Sequence, residues 1–457
     1  MIKQYPNNII KIWKIFILAI YLFSIVCCTP ELKVEDPKTG EANFTKFIAI
    51  GGDFLAGYQD GALYKKGQEF CIPALLAQQF KMVGGGSFNQ WMMPDNNGLG
   101  MSPKPWLPPF VSRLKLMLRT DCQRATSLTP VNETYNAVDV SPYLNAIAGN
   151  SVQNFAIPGA TSLDYFNPSF GIGGTRNPFY NRIASNPGVS TIYSDAFSQN
   201  ATFFIAWVGM EDIYNYASAG GGEYTIPSAL SFGIRLDSIL DGLTSNGAKG
   251  VIATIPDFRN FPFYTLIPYN AANMGQVQAD SLNYIYDTVS GFHHIHFVAG
   301  NNAFLINDAN ATGGFRMMHD GEYLTLNIPL DSMKCNKYGL LINLINNRYV
   351  LDSEEVKIIE AAIDAYNNII YQKANQYNLA LADMNAYFKN ITSGIQWNGE
   401  VYNAQFVTGG FYSLDGYHPN QKGYALIANE FIRAINAKYK STIPQINCFE
   451  CDGILLP

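Results

Sequence analysis

The sequence predicts a three-layer α/β/α sandwich built on a flavodoxin-like parallel sheet with long loop insertions. Two observations predict it. Short, uninterrupted apolar runs recur at residues 47–51, 152–156, 202–208, 250–255, 294–299 and 379–382, the pattern of strands buried on both faces. Helical stretches lie between several of them, and strands alternating with helices argue for a parallel sheet covered on both sides, with sites at the carboxyl ends of its strands. The chain has 457 residues and is 48% hydrophobic, ample to bury such a core.

Taken in order, the chain opens with Lys3, Lys11 and Lys14 ahead of an apolar run at 15–26. That run is short of the roughly 20 residues a membrane span needs and reads as a secretory signal peptide over 1–28. It ends in Cys27-Cys28-Thr29, which resembles a bacterial lipobox, so Cys28 is the expected lipid anchor. Residues 29–45 are polar, charged and Pro-containing, suited to a tether. The predicted body spans 46–440, with a C-terminal tail at 441–457. The expected location is outside the inner membrane, anchored to a bacterial outer membrane, periplasmic or at the cell surface.

Within the body, helices are predicted at 72–82, 226–245, 353–376 and 421–437. The third is opened by Asp352 or Ser353, with Glu354 and Glu355 in its first turn. Residues 84–150 and about 257–347 carry little regular pattern and read as elaborations on one domain without an independent core. A formal charge of −6 and the lack of any basic run beyond the N-terminus exclude a nucleic-acid footprint. The 28 Tyr and 29 Phe fit a large core and wet loops better than a dedicated ligand surface. Cys71, Cys122 and Cys335 are isolated, whereas Cys448-Phe-Glu-Cys451 lacks the second pair or histidines of a zinc site and is expected to form a local disulfide. His294 and His296 share a face of the predicted strand at 294–299, only a weak hint of metal ligation. No metal or cofactor is predicted.

Four segments carry the chemistry. Residues 47–58, FIAIGGDFLAGY, run from a strand through a glycine turn into a helix start. Residues 154–162 contain Pro158-Gly159 after a strand. Residues 207–212 read WVGMED, and residues 411–420 read FYSLDGYHPN ahead of Gly423 and an amphipathic helix. Together they resemble the SGNH/GDSL hydrolases, in the lipoprotein branch of Bacteroidetes-type bacteria, over about 46–440. The resemblance implies that Asp415 holds the Nδ1–H of His418, that His418 presents Nε2 to a nucleophile, and that the Gly159 amide helps hold an oxyanion. An ungapped alignment puts Asp53 at the nucleophilic serine, and shifting by one residue puts Phe54 there, so neither restores a serine. Glu211 stands where the family has an oxyanion-binding Asn, and an ionised carboxylate has no proton to donate.

The resemblance thus implies an ester-hydrolase fold whose activity is in question. The leading expectation is a degenerate hydrolase that serves as a surface ligand-binding or scaffold protein, with Asp53 and His418 as an ion pair and a small-molecule, lipid or glycan ligand in the cleft. The alternative is an ester hydrolase for acyl or acetyl groups of lipids or glycans using a non-standard route, such as Asp53 as nucleophile. A third reading joins Asp53, Glu211 and His418 in a divalent-ion site or a carboxylate acid/base pair, in which mutual repulsion keeps Glu211 protonated.

Overall fold

The computed structural model describes residues 36–100, 110–135, 140–146, 152–172, 177–289, 292–341 and 343–457. The expected signal peptide and Cys28 lie outside them. Residues 37–457 form one compact unit. Its centre is a five-stranded sheet of β1 (Phe47–Gly51), β2 (Asn154–Ala156), β3 (Phe203–Trp207), β4 (Lys249–Ala253) and β5 (Ala380–Ala382). The spatial order is 2-1-3-4-5 with every neighbouring pair parallel. β1 and β3 are buried at all five positions, which explains their unbroken apolar sequences. Ala49 faces Asn154 on one side and Ile205 on the other, so the carboxyl ends of the three strands that approach the site are in register. The strand order reverses beside β1, at the crevice where ligands of such sheets bind.

Helices cover the sheet. α1 (Asp53–Ala56) is a single turn after β1, and α2 (Ile72–Lys81) packs against α7 (Gln421–Tyr439). α3 (Met210–Ser218) follows β3, while α4 (Ala229–Thr244) packs against α5 (Ser353–Gln376). The Asp352 carboxylate caps α5 by accepting from the amides of Glu354 and Glu355, and Glu355 returns a bond to the Asp352 amide. α6 (Met384–Ser393) follows β5, capped by Asp383. α3 and α6 were not evident in the sequence. Both are short and start directly at a strand end, so their apolar faces merge into the strand signal.

Several expectations need correction. The run at 294–299 is irregular chain, not a strand: Ile295 and Phe297 are buried in a second hydrophobic cluster while His294 and His296 are exposed, and the nearby strand is Gly300–Asn302. That second cluster, with Leu282, Tyr286, Leu305 and Ile345 among its members, gives the insertion around 267–350 a core of its own. Arg316 lies across it, bidentate to the buried Glu322 at 2.8 Å in both bonds and also bonded to Asp308 at 2.6 Å. Both ends of the body also dock more than polar sequence suggests. The Lys38 amide donates to Thr442 and the Glu41 amide to the Tyr439 carbonyl, and Phe44 is buried. In the tail, Ile443, Ile446 and Cys448 are buried, with Asn429 and Asn436 of α7 bonding its backbone.

The disulfide joins Cys122 to Cys335, with Cα atoms 6.0 Å apart, whereas Cys448 and Cys451 are free, buried thiols. The bridge links the tip of an exposed hairpin (Lys115–Thr120 with Thr126–Val131) to the end of the Leu330–Cys335 helix, tying one insertion to the other. A separation of 213 residues hides such a pair from the sequence. Alkylating the denatured protein before reduction is expected to label Cys448 and Cys451 and to spare Cys122 and Cys335 until a reductant is added. A 448–451 linked peptide in the unreduced digest would refute this pairing.

Candidate active site

The site is assembled from the carboxyl ends of β1, β2 and β3 and from the loop before α7. β1 ends in Gly51-Gly52, and Asp53 is the first residue of α1. The Glu211 carboxylate packs directly against position 52, in the space a larger residue would use: a Cβ there would lie 1.7 Å from Glu211 Oε1. Gly159 follows β2 with φ +74°, a left-handed conformation that costs glycine little and aims its amide back toward α1. Glu211 sits in the first turn of α3.

The fourth element is held from both sides. Asn420 caps α7 through the Gly423 amide at 3.0 Å, and its own amide donates to the Phe411 carbonyl. Within the loop, the Ser413 amide donates to the His418 carbonyl at 2.8 Å. Across from it, the Asp60 amide donates to Ser413 Oγ, the Leu414 amide to Asp60 Oδ1, and the Gly61 amide to Asp415 Oδ2 at 2.8 Å. Asp60 is therefore a positioning residue that sequence reading missed. Its only sequence signal is an acid in a turn after α1, while its partners in the 413–415 loop lie more than 350 positions away.

These elements bring all five sequence-predicted residues together. His418 Nδ1 is 2.9 Å from Asp415 Oδ2, and Asp415 Oδ1 accepts the amides of Tyr417 and His418. His418 Nε2 is 3.3 Å from Asp53 Oδ2. Asp53 Oδ1 accepts the Gly159 amide at 2.6 Å, and the Asp53 amide itself donates to Glu211 Oε1 at 2.9 Å. The rings of Phe54, Tyr58 and Tyr417 surround the imidazole at 5.4, 4.9 and 4.6 Å between centroids. The other histidines, His293, His294, His296 and His319, take no part.

Charge follows from this geometry. Burial opposes an imidazolium at His418, but the Asp415 carboxylate, aided by Asp53, outweighs it and pushes the imidazole up to about 9. Asp415 is held below the ordinary carboxylate range: burial works to raise it, and the His418 charge and the amides of Tyr417 and Gly61 overcome that. Glu211 goes the other way. It is buried, faces the Asp53 carboxylate, and is raised well above the usual range despite the bond from the Asp53 amide. Burial and the neighbouring carboxylate thus both favour its protonated form. Its second oxygen has no partner among the described residues, nor has the neighbouring hydroxyl of Tyr165.

The arrangement keeps the orienting half of a catalytic triad, Asp415 and His418, and alters the reacting half. The Asp53 carboxylate spans the gap from His418 to the Gly159 amide, so one oxygen lies where a nucleophile would face the base and the other takes the donor that would hold an oxyanion. Glu211 takes the remaining backbone donor. Beside this cluster opens a cavity of about 230 Å³, lined by Tyr214, Phe263 and Tyr417 and by Asn327, Arg348 and Tyr349 of the insertion. Among the described residues no group of three or more His, Cys, Asp or Glu is arranged to hold a metal ion.

No curated protein sequence matches the chain. A crystal structure of a protein from Parabacteroides merdae described as a GDSL-like lipase aligns over 88% of this chain and 99% of its own, at 9% identity and a TM-score of 0.34. The sequence profile of the GDSL-like lipase/acylhydrolase family matches residues 128–431, a span that holds β3, Glu211, Asp415 and His418 and begins after Asp53. The chain belongs to the GDSL-like lipase/acylhydrolase family, within the SGNH/GDSL superfamily.

Proposed function

We propose that this protein is a catalytically degenerate member of its family that keeps the hydrolase pocket as a ligand-binding site and is displayed on a lipid anchor at Cys28. One observation carries the first part: the Asp53 carboxylate occupies the Gly159 donor and the imidazolium at once. In an ester hydrolase those two groups are kept for charge that develops only in the transition state, and donors already satisfied in the resting state give no differential stabilisation. Asp53 as a nucleophile is disfavoured for the same reason, since its attacking oxygen would have to leave one of these partners. The raised Glu211 is the one feature that favours the acid/base alternative, but its free oxygen is buried.

Purified mature protein is expected to hydrolyse p-nitrophenyl acetate and butyrate no faster than its His418→Ala variant. Turnover at rates usual for ester hydrolases that disappears in His418→Ala would overturn the degenerate reading. For the anchor, cells fed a clickable palmitate analogue are expected to label the wild type and not Cys28→Ser. Equal labelling of the two would remove Cys28 from that role.

A further inference from the structure

The cavity lining carries a cationic side chain that the site itself does not use. Asp53 and Asp415 both have His418 as their partner, Glu211 is folded back onto the Asp53 amide, and Glu223 on the rim has an interaction of its own. Arg348 differs. It lines the same cavity, is exposed, and has no carboxylate partner among the described residues; its guanidinium lies over the Tyr349 ring at 5.2 Å.

The backbone that carries it is fixed. The Arg348 amide donates to Asn346 Oδ1 at 3.1 Å, opening the Asn347–Tyr349 turn, and the Thr325 amide donates to the Tyr349 carbonyl at 2.9 Å. Gly220 packs so closely beneath that a Cβ would sit 2.1 Å from the Asn347 carbonyl oxygen. An unpaired guanidinium on a held turn, in the lining of a cavity, is a usual means of reading a carboxylate or sulfate through paired N–H donors.

The rest of the lining narrows the class. Phe263, Tyr349 and Tyr417 contribute aromatic side chains, and Asn215 and Asn327 contribute amides. Aromatic side chains together with amides suit a ring that is apolar on its faces and hydroxylated at its rim, better than an acyl chain, which would leave the amides unpaired. A volume of about 230 Å³ restricts the enclosed part to one such ring. We infer that the cavity binds an acidic sugar unit, its anionic group on Arg348 and its ring among Phe263, Tyr349 and Tyr417. This rests on the ligand-binding reading above and adds the chemistry of the ligand.

The test is titration of the purified protein with D-glucuronate, D-glucose and hexanoate, followed by saturation-transfer NMR and calorimetry, in the wild type and in Arg348→Gln. Arg348 is exposed, so the variant should keep the wild-type urea midpoint. Glucuronate is expected to bind at least about tenfold more tightly than glucose or hexanoate, and Arg348→Gln to bring it down to the level of glucose, the loss of one charge-assisted contact. Glucuronate binding no better than glucose, a preference that survives Arg348→Gln, hexanoate binding as tightly as glucuronate, or no binding of any of the three would each overturn the inference. Glucuronate and glucose bound equally by the wild type would do so while leaving the ligand-binding reading intact, and that reading fails separately, on His418-dependent ester turnover.

Discussion

Asp53→Ser combined with Glu211→Asn is expected to hydrolyse p-nitrophenyl acetate roughly 100-fold faster than Asp53→Ser alone, because each change restores a different part of the site. The first removes the carboxylate from the Gly159 amide and puts a hydroxyl beside His418 Nε2. It also removes one of the two carboxylates that hold the imidazole up, bringing it toward the range in which it serves as a base. What it leaves is Glu211, whose Oε1 still accepts the residue 53 amide and whose neutral or ionised acid offers no amide donor. Glu211→Asn frees that backbone N–H and supplies a side-chain donor, and losing a single such donor costs roughly 100- to 1,000-fold in turnover. The two substitutions should therefore exceed the product of their separate effects, with the gain abolished by adding His418→Ala. Equal activity of the single and double variants would mean that Glu211 does not stand at the oxyanion position.

How far the sequence could be read depended on whether the interacting residues are local. Asp415 and His418 are three residues apart and bond through a turn encoded by the intervening Gly-Tyr, so their pairing was legible. β1 and β3 were legible because both are buried along their whole length, and α5 because its cap and its first-turn acids are adjacent in sequence. The run at 294–299 misled because a chain that buries Ile295 and Phe297 in a hydrophobic cluster needs the same short apolar stretch with or without a sheet partner. The Cys122–Cys335 bridge and the clasp of Asp60 on the 413–415 loop could not be read, since each is a contact made only after two insertions or two distant loops have packed. The resemblance marked positions 53 and 211 as altered. It did not reveal that Asp53 turns its carboxylate onto the Gly159 amide or that Glu211 folds under Gly52, and those two facts decide what the cleft can do.

The same ion cluster should set how stability depends on pH. His418 is raised in the folded state from an ordinary 6.5 to about 9, so between those values the folded protein binds a proton that the unfolded chain has released. Stability must then fall as pH rises: the contribution is complete below about 6.5 and is lost by about 9, a span corresponding to about 3 kcal/mol for a group this buried. Glu211, also raised, acts in the same direction from its ordinary value upward, because its folded state too retains a proton longer than the unfolded chain. Asp415 has the opposite sign. Its depressed folded value contributes stability above the ordinary carboxylate range that is lost only on strong acidification, so the maximum lies on the mildly acidic side of neutral. Urea unfolding of the wild type at pH 6.5 and 9.5 should show this loss, and His418→Gln, which cannot titrate, should show a markedly smaller one. A wild type whose stability is level across that window, or a His418→Gln variant that loses as much, would mean that the imidazole is not charged in the folded protein, and the Asp53–His418 pair could not then be holding the donor site closed.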